Sequence, residues 1–207
     1  MSCSREEYAA IRKDEATKAL AIAGIDQANI AFLEAVDQES MEIGGELVTP
    51  FADLLRNISP DVVITHPYEG GHPDHDAAAF VAALAIRGKH SAPQLVEMTS
   101  YHARNQECVT GEFLGDDGAS FVRNLSIQER ERKLMMTECY ASQRNVLQNF
   151  PKDYEKFRIA PAYEFTSPPH DGQLWYEIMG WRTTGEYWRS LAGKFLNESL
   201  VQKVACD

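Results

Sequence analysis

The chain has 207 residues, of which 44% are hydrophobic and 25% are charged. This length and composition are typical of one globular domain whose core needs no disulfide bonds. Its 31 acidic residues outnumber its 20 basic ones, so a formal net charge of -11 repels a phosphate backbone and argues against a nucleic-acid partner. No uninterrupted apolar run reaches the length of a membrane span.

Cysteine usage and the N-terminal residues predict a cytoplasmic protein. The cysteines lack a CxxC pair or any tight spacing, which argues against both a zinc knuckle and a disulfide framework. They are Cys3, Cys108, Cys139 and Cys206. The first residues also lack the basic segment followed by an apolar one that marks a secretory signal.

The first part of the chain alternates between helical and strand-like patterns. Ser4 and Glu7 form a capping box, which predicts a helix that ends at Gly24. The short apolar run 30–33 predicts a buried strand that leads into a polar turn. A helix and a strand are therefore expected before residue 37.

A second helix is predicted over residues 47–58, where Pro50 is tolerated only in the first turn. The β-branched run 61–65 is typical of a strand that is buried on both faces of a parallel sheet. A polar loop, 66–75, and an alanine-rich buried helix, 77–86, follow this strand. The order strand, loop, helix is that of an α/β unit.

The second half continues this alternation and then becomes irregular. A further strand is predicted over 95–100, and the capping box of Ser126 and Glu129 predicts one long helix that ends at about Leu147. Residues 151–207 are rich in aromatics, proline and glycine, and are predicted as an irregular cap on an α/β core formed by residues 1–150. The fold class predicted is α/β and Rossmann-like, with a mainly parallel sheet flanked by helices.

The loop 66–75 holds the residues best suited to chemistry. It carries three histidines, one aspartate and one glutamate, and it follows the carboxyl end of the strongest predicted strand, where α/β sheets bind ligands. Gly70 and Gly71 permit backbone geometry that other residues resist. Imidazole and carboxylate groups together favour zinc or another divalent first-row ion. The alternative is that these histidines only decorate a turn.

The segment from Gly71 to His75, together with the strand before it, resembles the second motif (H-x-D-H) of the PIG-L or LmbE-like deacetylases. Members of this zinc-dependent family remove acetyl groups from N-acetylglucosamine-type amino sugars. The stretch from Arg12 to Glu15 resembles the family's R-x-x-E helix, residues 32–37 resemble its strand and acidic turn, and Ser142-Gln143 resembles its S-Q pair.

The resemblance implies a role for five residues. His75 would be a zinc ligand, and His72 would donate a hydrogen bond or a proton to the tetrahedral intermediate or the leaving amine. Asp74 would orient a neighbouring histidine and stabilise its charge. Arg12 and Asp37 would bind sugar hydroxyls, although an ion pair on a helix surface and a turn-forming aspartate are the alternative interpretations.

The family's first motif, H-P-D-D-E, does not occur in this sequence. The resemblance implies that this motif supplies two further zinc ligands and the general base, and that the strands carrying it lie beside those found here. We therefore expect an N-terminally truncated single domain, inactive alone, that is completed by an N-terminal segment or by a homo-oligomer. Substitute ligands are available in principle at four positions. They are His66, Glu69, His102 and His170.

Two alternatives remain open at this point. Besides a hydrolase completed by residues outside this chain, these are a non-catalytic remnant that binds a sugar or a protein partner through the same cleft, and an unrelated metal-dependent phosphohydrolase. The late aromatic residues are expected to cover the core, with a sugar-binding rim as the other interpretation. They are Trp175, Tyr176, Trp181, Tyr187 and Trp188. His90 is predicted to be solvent exposed.

Overall fold

A computed structural model describes residues 3–88, 91–115 and 120–204 of the chain, and His90 lies outside these ranges. The α-helices described are α1 (Arg5–Ile22), α2 (Gly44–Ile58), α3 (Pro73–Ile86), α4 (Ile127–Glu138), α5 (Arg144–Leu147), α6 (Trp175–Ile178) and α7 (Gly185–Val204). The strands described are β1 (Val62–Thr65), β2 (Gln94–Met98), β3 (Tyr101–Arg104), β4 (Glu107–Thr110), β5 (Ser120–Asn124) and β6 (Tyr154–Ile159).

The main sheet has the strand order β1-β2-β6-β5. β1 runs parallel to β2, with Thr65 opposite Glu97, whereas β2 and β6 are antiparallel. β3 and β4 form a separate antiparallel hairpin. The predicted α/β class is confirmed, but a mainly parallel sheet is not, because β6 pairs antiparallel with β2 while only β1 and β2, joined through α3, are shown to pair in parallel.

The chain divides into two compact units. The first contains Met1–Glu34 and Val122–Glu155, and the second contains Ala35–Phe121 and Lys156–Asp207. The prediction of a single domain stays a prediction. Among the described helices, none combines the length and the apolar character needed to cross a membrane. Cys3, Cys108 and Cys139 are free thiols, and Cys206 lies outside the described residues.

Both predicted capping boxes are confirmed in the first unit. The Ser4 hydroxyl oxygen accepts a hydrogen bond from the Glu7 backbone N–H at 3.1 Å, and the Glu7 carboxylate accepts one from the Ser4 N–H. Ser126 and Glu129 make the same reciprocal pair at the start of α4. Each box satisfies backbone donors that a helix N-terminus leaves without intrahelical partners.

Glu15 links α1 to the segment that follows α4. Its buried carboxylate accepts hydrogen bonds from the backbone N–H and the hydroxyl of Ser142, at 2.8 and 2.7 Å, and from Arg12 at 2.8 Å. Burial acts to raise the pKa of Glu15, but these hydrogen bonds outweigh it and lower the pKa. The single long helix predicted after Ser126 is wrong, since α4 ends at Glu138 and the Ser142 N–H turns to Glu15.

Glu15→Ala is expected to lower the free energy of unfolding by about 2 kcal/mol, because it removes the acceptor for two partly buried donors of Ser142. Asp14→Ala is the matched control on the same helix. Asp14 forms an exposed pair with Lys18, so its loss should leave the urea midpoint unchanged. Urea unfolding followed by circular dichroism measures both, and equal midpoints for the two variants would contradict the role given to Glu15.

Three expectations for the first half of the chain need correction. The run 30–33 forms no strand, because no neighbouring strand pairs with it among the described residues, and Phe32 and Leu33 are exposed. β1 is not buried on both faces, since Val62 and Ile64 are about half exposed where β1 ends the strand order. Pro50 lies inside α2 rather than in its first turn, because the helix begins earlier, at Gly44.

The core of the second unit joins α3 to the late aromatic residues. Phe80 and Trp188 are fully buried, and Tyr68 stacks on Trp188 with a ring-centroid distance of 5.1 Å. The Trp188 indole N–H donates to the Pro73 carbonyl at 3.2 Å, which ties α7 to the start of α3. The prediction that the late aromatic residues cover the core is thus confirmed for Trp188 and Tyr176, whereas Tyr187 is exposed. The segment 151–207 also contains β6, α6 and α7 and is more regular than predicted.

Candidate metal and catalytic site

The histidine-rich loop occupies the place that the sequence predicts, at the carboxyl end of β1. His72 is the N-cap of α3, and its Nδ1 accepts a hydrogen bond from the Asp74 N–H at 3.1 Å. Pro73 occupies the first turn, where its missing N–H removes no helical bond. α3 therefore begins four residues before the predicted start, so Asp74 and His75 lie on its first turn.

Three imidazoles meet at this position. His66 and His75 stack face to face, with ring centroids 3.9 Å apart and planes 2° from parallel, and the His72 ring lies 5.1 Å from that of His75. Burial lowers the pKa of His66 to about 4, and burial together with the two neighbouring imidazoles lowers the pKa of His75. Both rings are therefore neutral near pH 7, which is the state that metal binding requires.

Asp37, His72 and Asp74 form the group whose geometry suits a cation. Each offers one donor atom, and these atoms all lie within 4.8 Å of one another. One imidazole and two carboxylates are a donor set that fits zinc or another divalent first-row ion. The Asp74 carboxylate also accepts the backbone N–H groups of Gln38 and Ser40, at 2.8 and 3.2 Å, so it fixes the turn that carries Asp37.

His75 lies beside this group without belonging to it. The structure also limits which other residue could share a metal ion with His75. The lone pairs of an imidazole nitrogen point along the ring plane. Because the His66 and His75 rings are parallel and stacked, no single ion lies in both planes at bonding distance. His66 is therefore unsuited to share an ion with His75 in this arrangement.

Glu69 and His102, two other substitute ligands, are engaged with each other. His102 Nδ1 lies 3.2 Å from a Glu69 carboxylate oxygen, and both side chains are buried. Burial and the nearby Glu97 carboxylate raise the pKa of Glu69, while burial lowers the pKa of His102 to about 4. Both shifts disfavour the charged forms, so the contact is better described as a buried hydrogen bond than as an ion pair.

Two further residues fix the shape of the loop. Asp76 is fully buried, and one of its carboxylate oxygens accepts the backbone N–H groups of Glu69 and Gly70 at 3.0 and 3.1 Å. Gly71 passes so close to β3 that an added Cβ atom would lie 1.7 Å from the Tyr101 carbonyl oxygen. Asp76 therefore fixes the loop to the start of α3, and the absence of a side chain at Gly71 lets the loop lie directly against Tyr101.

Arg12 and His170 lie in other surroundings. Arg12, in the first unit, is partly exposed, bonds Glu15 and lies over the Tyr140 ring, so the helix ion pair weighed from the sequence is present. His170 Nδ1 lies 2.7 Å from the Asp171 carbonyl oxygen. These contacts do not test whether Arg12 binds substrate or whether His170 binds a metal ion.

Sequence reasoning missed one residue at this site, Ser100, and did not single out another, Trp181. Ser100 follows the carboxyl end of β2, the parallel neighbour of β1, and its hydroxyl lies 3.0 Å from His75 Nδ1. The position of Ser100 after a parallel strand was a usable signal, since such ends meet at one edge. Trp181 lies edge-on to His72 at 4.9 Å, and no local pattern distinguishes it from the other aromatic residues.

In the second unit, imidazole and carboxylate side chains thus lie close together at the carboxyl end of β1, between a strand and a helix. A scan against protein-family models matches residues 1–86 to PIG-L, GlcNAc-PI de-N-acetylase. This match covers the N-terminal 86 of the 207 residues and supports the resemblance found in the sequence. Searches of curated proteins and of solved structures gave no significant match.

Proposed function

We propose that the protein is a zinc-dependent hydrolase that removes the N-acetyl group from an N-acetylglucosamine-type amino sugar or its conjugate. The observation that carries this proposal is the collection of His72, Asp74 and His75 on the first turn of α3, within the residues that match the family. The family points to deacetylase-type chemistry.

In this proposal His75 binds the zinc, and His72 donates a hydrogen bond or a proton to the reacting amide. Asp74 orients the neighbouring histidine and stabilises positive charge on it, while Arg12 and Asp37 bind sugar hydroxyls. When bound, zinc lowers the pKa of a coordinated water and polarises the acetyl carbonyl. The neutral His75 imidazole described above supports its proposed role, because an uncharged ring can bind a cation.

We further propose that the remaining zinc ligands and the general base come from an H-P-D-D-E segment outside these 207 residues. That segment would add parallel, Rossmann-like strands beside β1, whose Val62 and Ile64 side chains are about half exposed. A complementing segment or a second copy of the chain would supply it, and the 207 residues alone would show little activity. The dispersed cysteines fit a reducing cytoplasm.

The test measures zinc content and acetate release from an N-acetylglucosamine conjugate, for the chain alone and for the chain extended by an H-P-D-D-E-bearing segment. The extended chain is expected to bind zinc and release acetate. His75→Ala should abolish zinc binding, and His72→Ala should keep zinc and slow turnover by about 10²–10⁴-fold. His170→Ala is the control and should change neither.

Two outcomes would overturn the proposal. Full activity in both His72→Ala and His75→Ala would remove the roles given to these residues. Binding of N-acetylglucosamine by the extended chain, seen by saturation-transfer NMR without acetate release, would favour the non-catalytic alternative.

A further inference from the structure

Ser100 makes a buried polar contact with the proposed zinc ligand. It is 2% exposed, and its hydroxyl oxygen lies 3.0 Å from Nδ1 of His75. Because a hydroxyl both donates and accepts, it can bond Nδ1 whether or not that nitrogen carries the proton. With Nδ1 engaged in this way, Nε2 is the ring nitrogen left for a cation.

The other contacts of His75 fix the tilt of the ring but do not distinguish its nitrogens. His66 covers one face at 3.9 Å, and the Tyr101 ring lies edge-on at 5.4 Å. Neither contact prevents a flip that exchanges the positions of nitrogen and carbon along the ring edge. The hydrogen bond from Ser100 does select one orientation, because only a nitrogen can take part in it.

The backbone around Ser100 is itself held in place. The buried Glu69 carboxyl group lies beside this segment, and the backbone of Ser100 and Tyr101 acts to lower its pKa. The Ser100 carbonyl accepts the Gly111 N–H at 3.2 Å. The hydroxyl therefore reaches His75 from a segment that is tied on both sides, which is how a fixed partner sets the orientation of a metal-binding imidazole.

We propose that Ser100 is a positioning residue for His75, holding the ring so that Nε2 and not Nδ1 faces the bound cation. This inference rests on the proposed function only for the identity of the cation as zinc. The orientation and the proton distribution of the ring are properties of the metal-free chain as well. They can therefore be measured whether or not the chain hydrolyses an amide.

The test is long-range ¹H–¹⁵N NMR of the full chain labelled at histidine, recorded at pH 8 without metal and after adding zinc sulfate. Zinc should bind wild-type His75 through Nε2, with the proton on Nδ1 facing the Ser100 hydroxyl oxygen. Ser100→Ala should change the metal-free His75 signals, because Nδ1 loses its hydrogen-bond partner, and should weaken zinc binding by about 10–100-fold, measured by chelator competition. Ser100→Thr keeps the hydroxyl and should restore the wild-type signals.

Zinc bound through Nδ1 in wild type, or an unchanged His75 spectrum in Ser100→Ala, would overturn the inference. The zinc-bound wild-type spectrum alone is decisive if Ser100→Ala does not fold. A His75 spectrum that changes in Ser100→Ala and is restored in Ser100→Thr, with no zinc bound by any of the chains, would support Ser100 as the positioning partner. The same result would count against the proposed zinc chemistry. Failure of the Ser100 inference and failure of the proposed function are therefore distinguishable.

Discussion

Gly71→Ala is expected to lower the free energy of unfolding by about 3 kcal/mol or more, or to prevent folding of the second unit. The new Cβ atom would lie 1.7 Å from the Tyr101 carbonyl oxygen, and a backbone atom cannot rotate out of the way as a side chain can. The loop and β3 would have to separate. Urea unfolding of the variant and of wild type measures the loss.

Gly193→Ala is the matched control for this substitution. Its Cβ atom would meet the Thr166 methyl group at 3.6 Å, an ordinary contact, inside α7. Alanine is the better helix former, so stability should stay the same or rise by up to about 1 kcal/mol. Equal stability of Gly71→Ala and wild type would show that the loop does not approach β3 as described.

Asp76→Ala is expected to lower the free energy of unfolding by about 2–5 kcal/mol. The substitution leaves the backbone N–H groups of Glu69 and Gly70 without their acceptor in a fully buried place, and each such group costs about 1–3 kcal/mol. Asp76→Asn keeps an acceptor oxygen and should lose far less. An equal loss in both variants would mean that a negative charge, rather than an acceptor, is required.

The stabilities of wild type and Asp76→Asn are also expected to depend differently on pH. Burial raises the pKa of Asp76 well above its ordinary value, so the protonated carboxyl is favoured in the folded state. A raised pKa stabilises the fold below the unfolded-state pKa, and this contribution is lost as the pH rises through the folded-state pKa. Asp76→Asn should therefore gain on wild type as the pH increases from about 4 upward, measured as the difference between their melting temperatures.

Local signals in the sequence predicted much of the secondary structure. Ser4 with Glu7, and Ser126 with Glu129, identified two helix starts because a capping box is complete within four residues. The strand before His66 and the buried helix after it were also predicted correctly in kind. These features need no information from distant parts of the chain.

The errors arose where a distant residue decides the outcome. The end of α4 depends on Glu15, which lies 127 positions before Ser142 in the chain. The hairpin of β3 and β4 turns at Asn105 and Gln106, both with positive φ, and Asn-Gln lacks the glycine that usually marks such a turn. The partnership of Ser100 with His75 follows from strand pairing, which no local pattern contains.

The stacked rings of His66 and His75 make the site directional. The His66 ring covers one face of His75, with the ring centroids 3.9 Å apart. Another group therefore approaches the His75 nitrogens from the edge of the ring, in a direction parallel to the two ring planes. If His75 binds zinc as proposed, any further ligand of that ion must arrive on the same path. An inhibitor of the proposed enzyme should accordingly present its binding atom at the tip of a narrow, flat head, since a bulky one would collide with the imidazole pair.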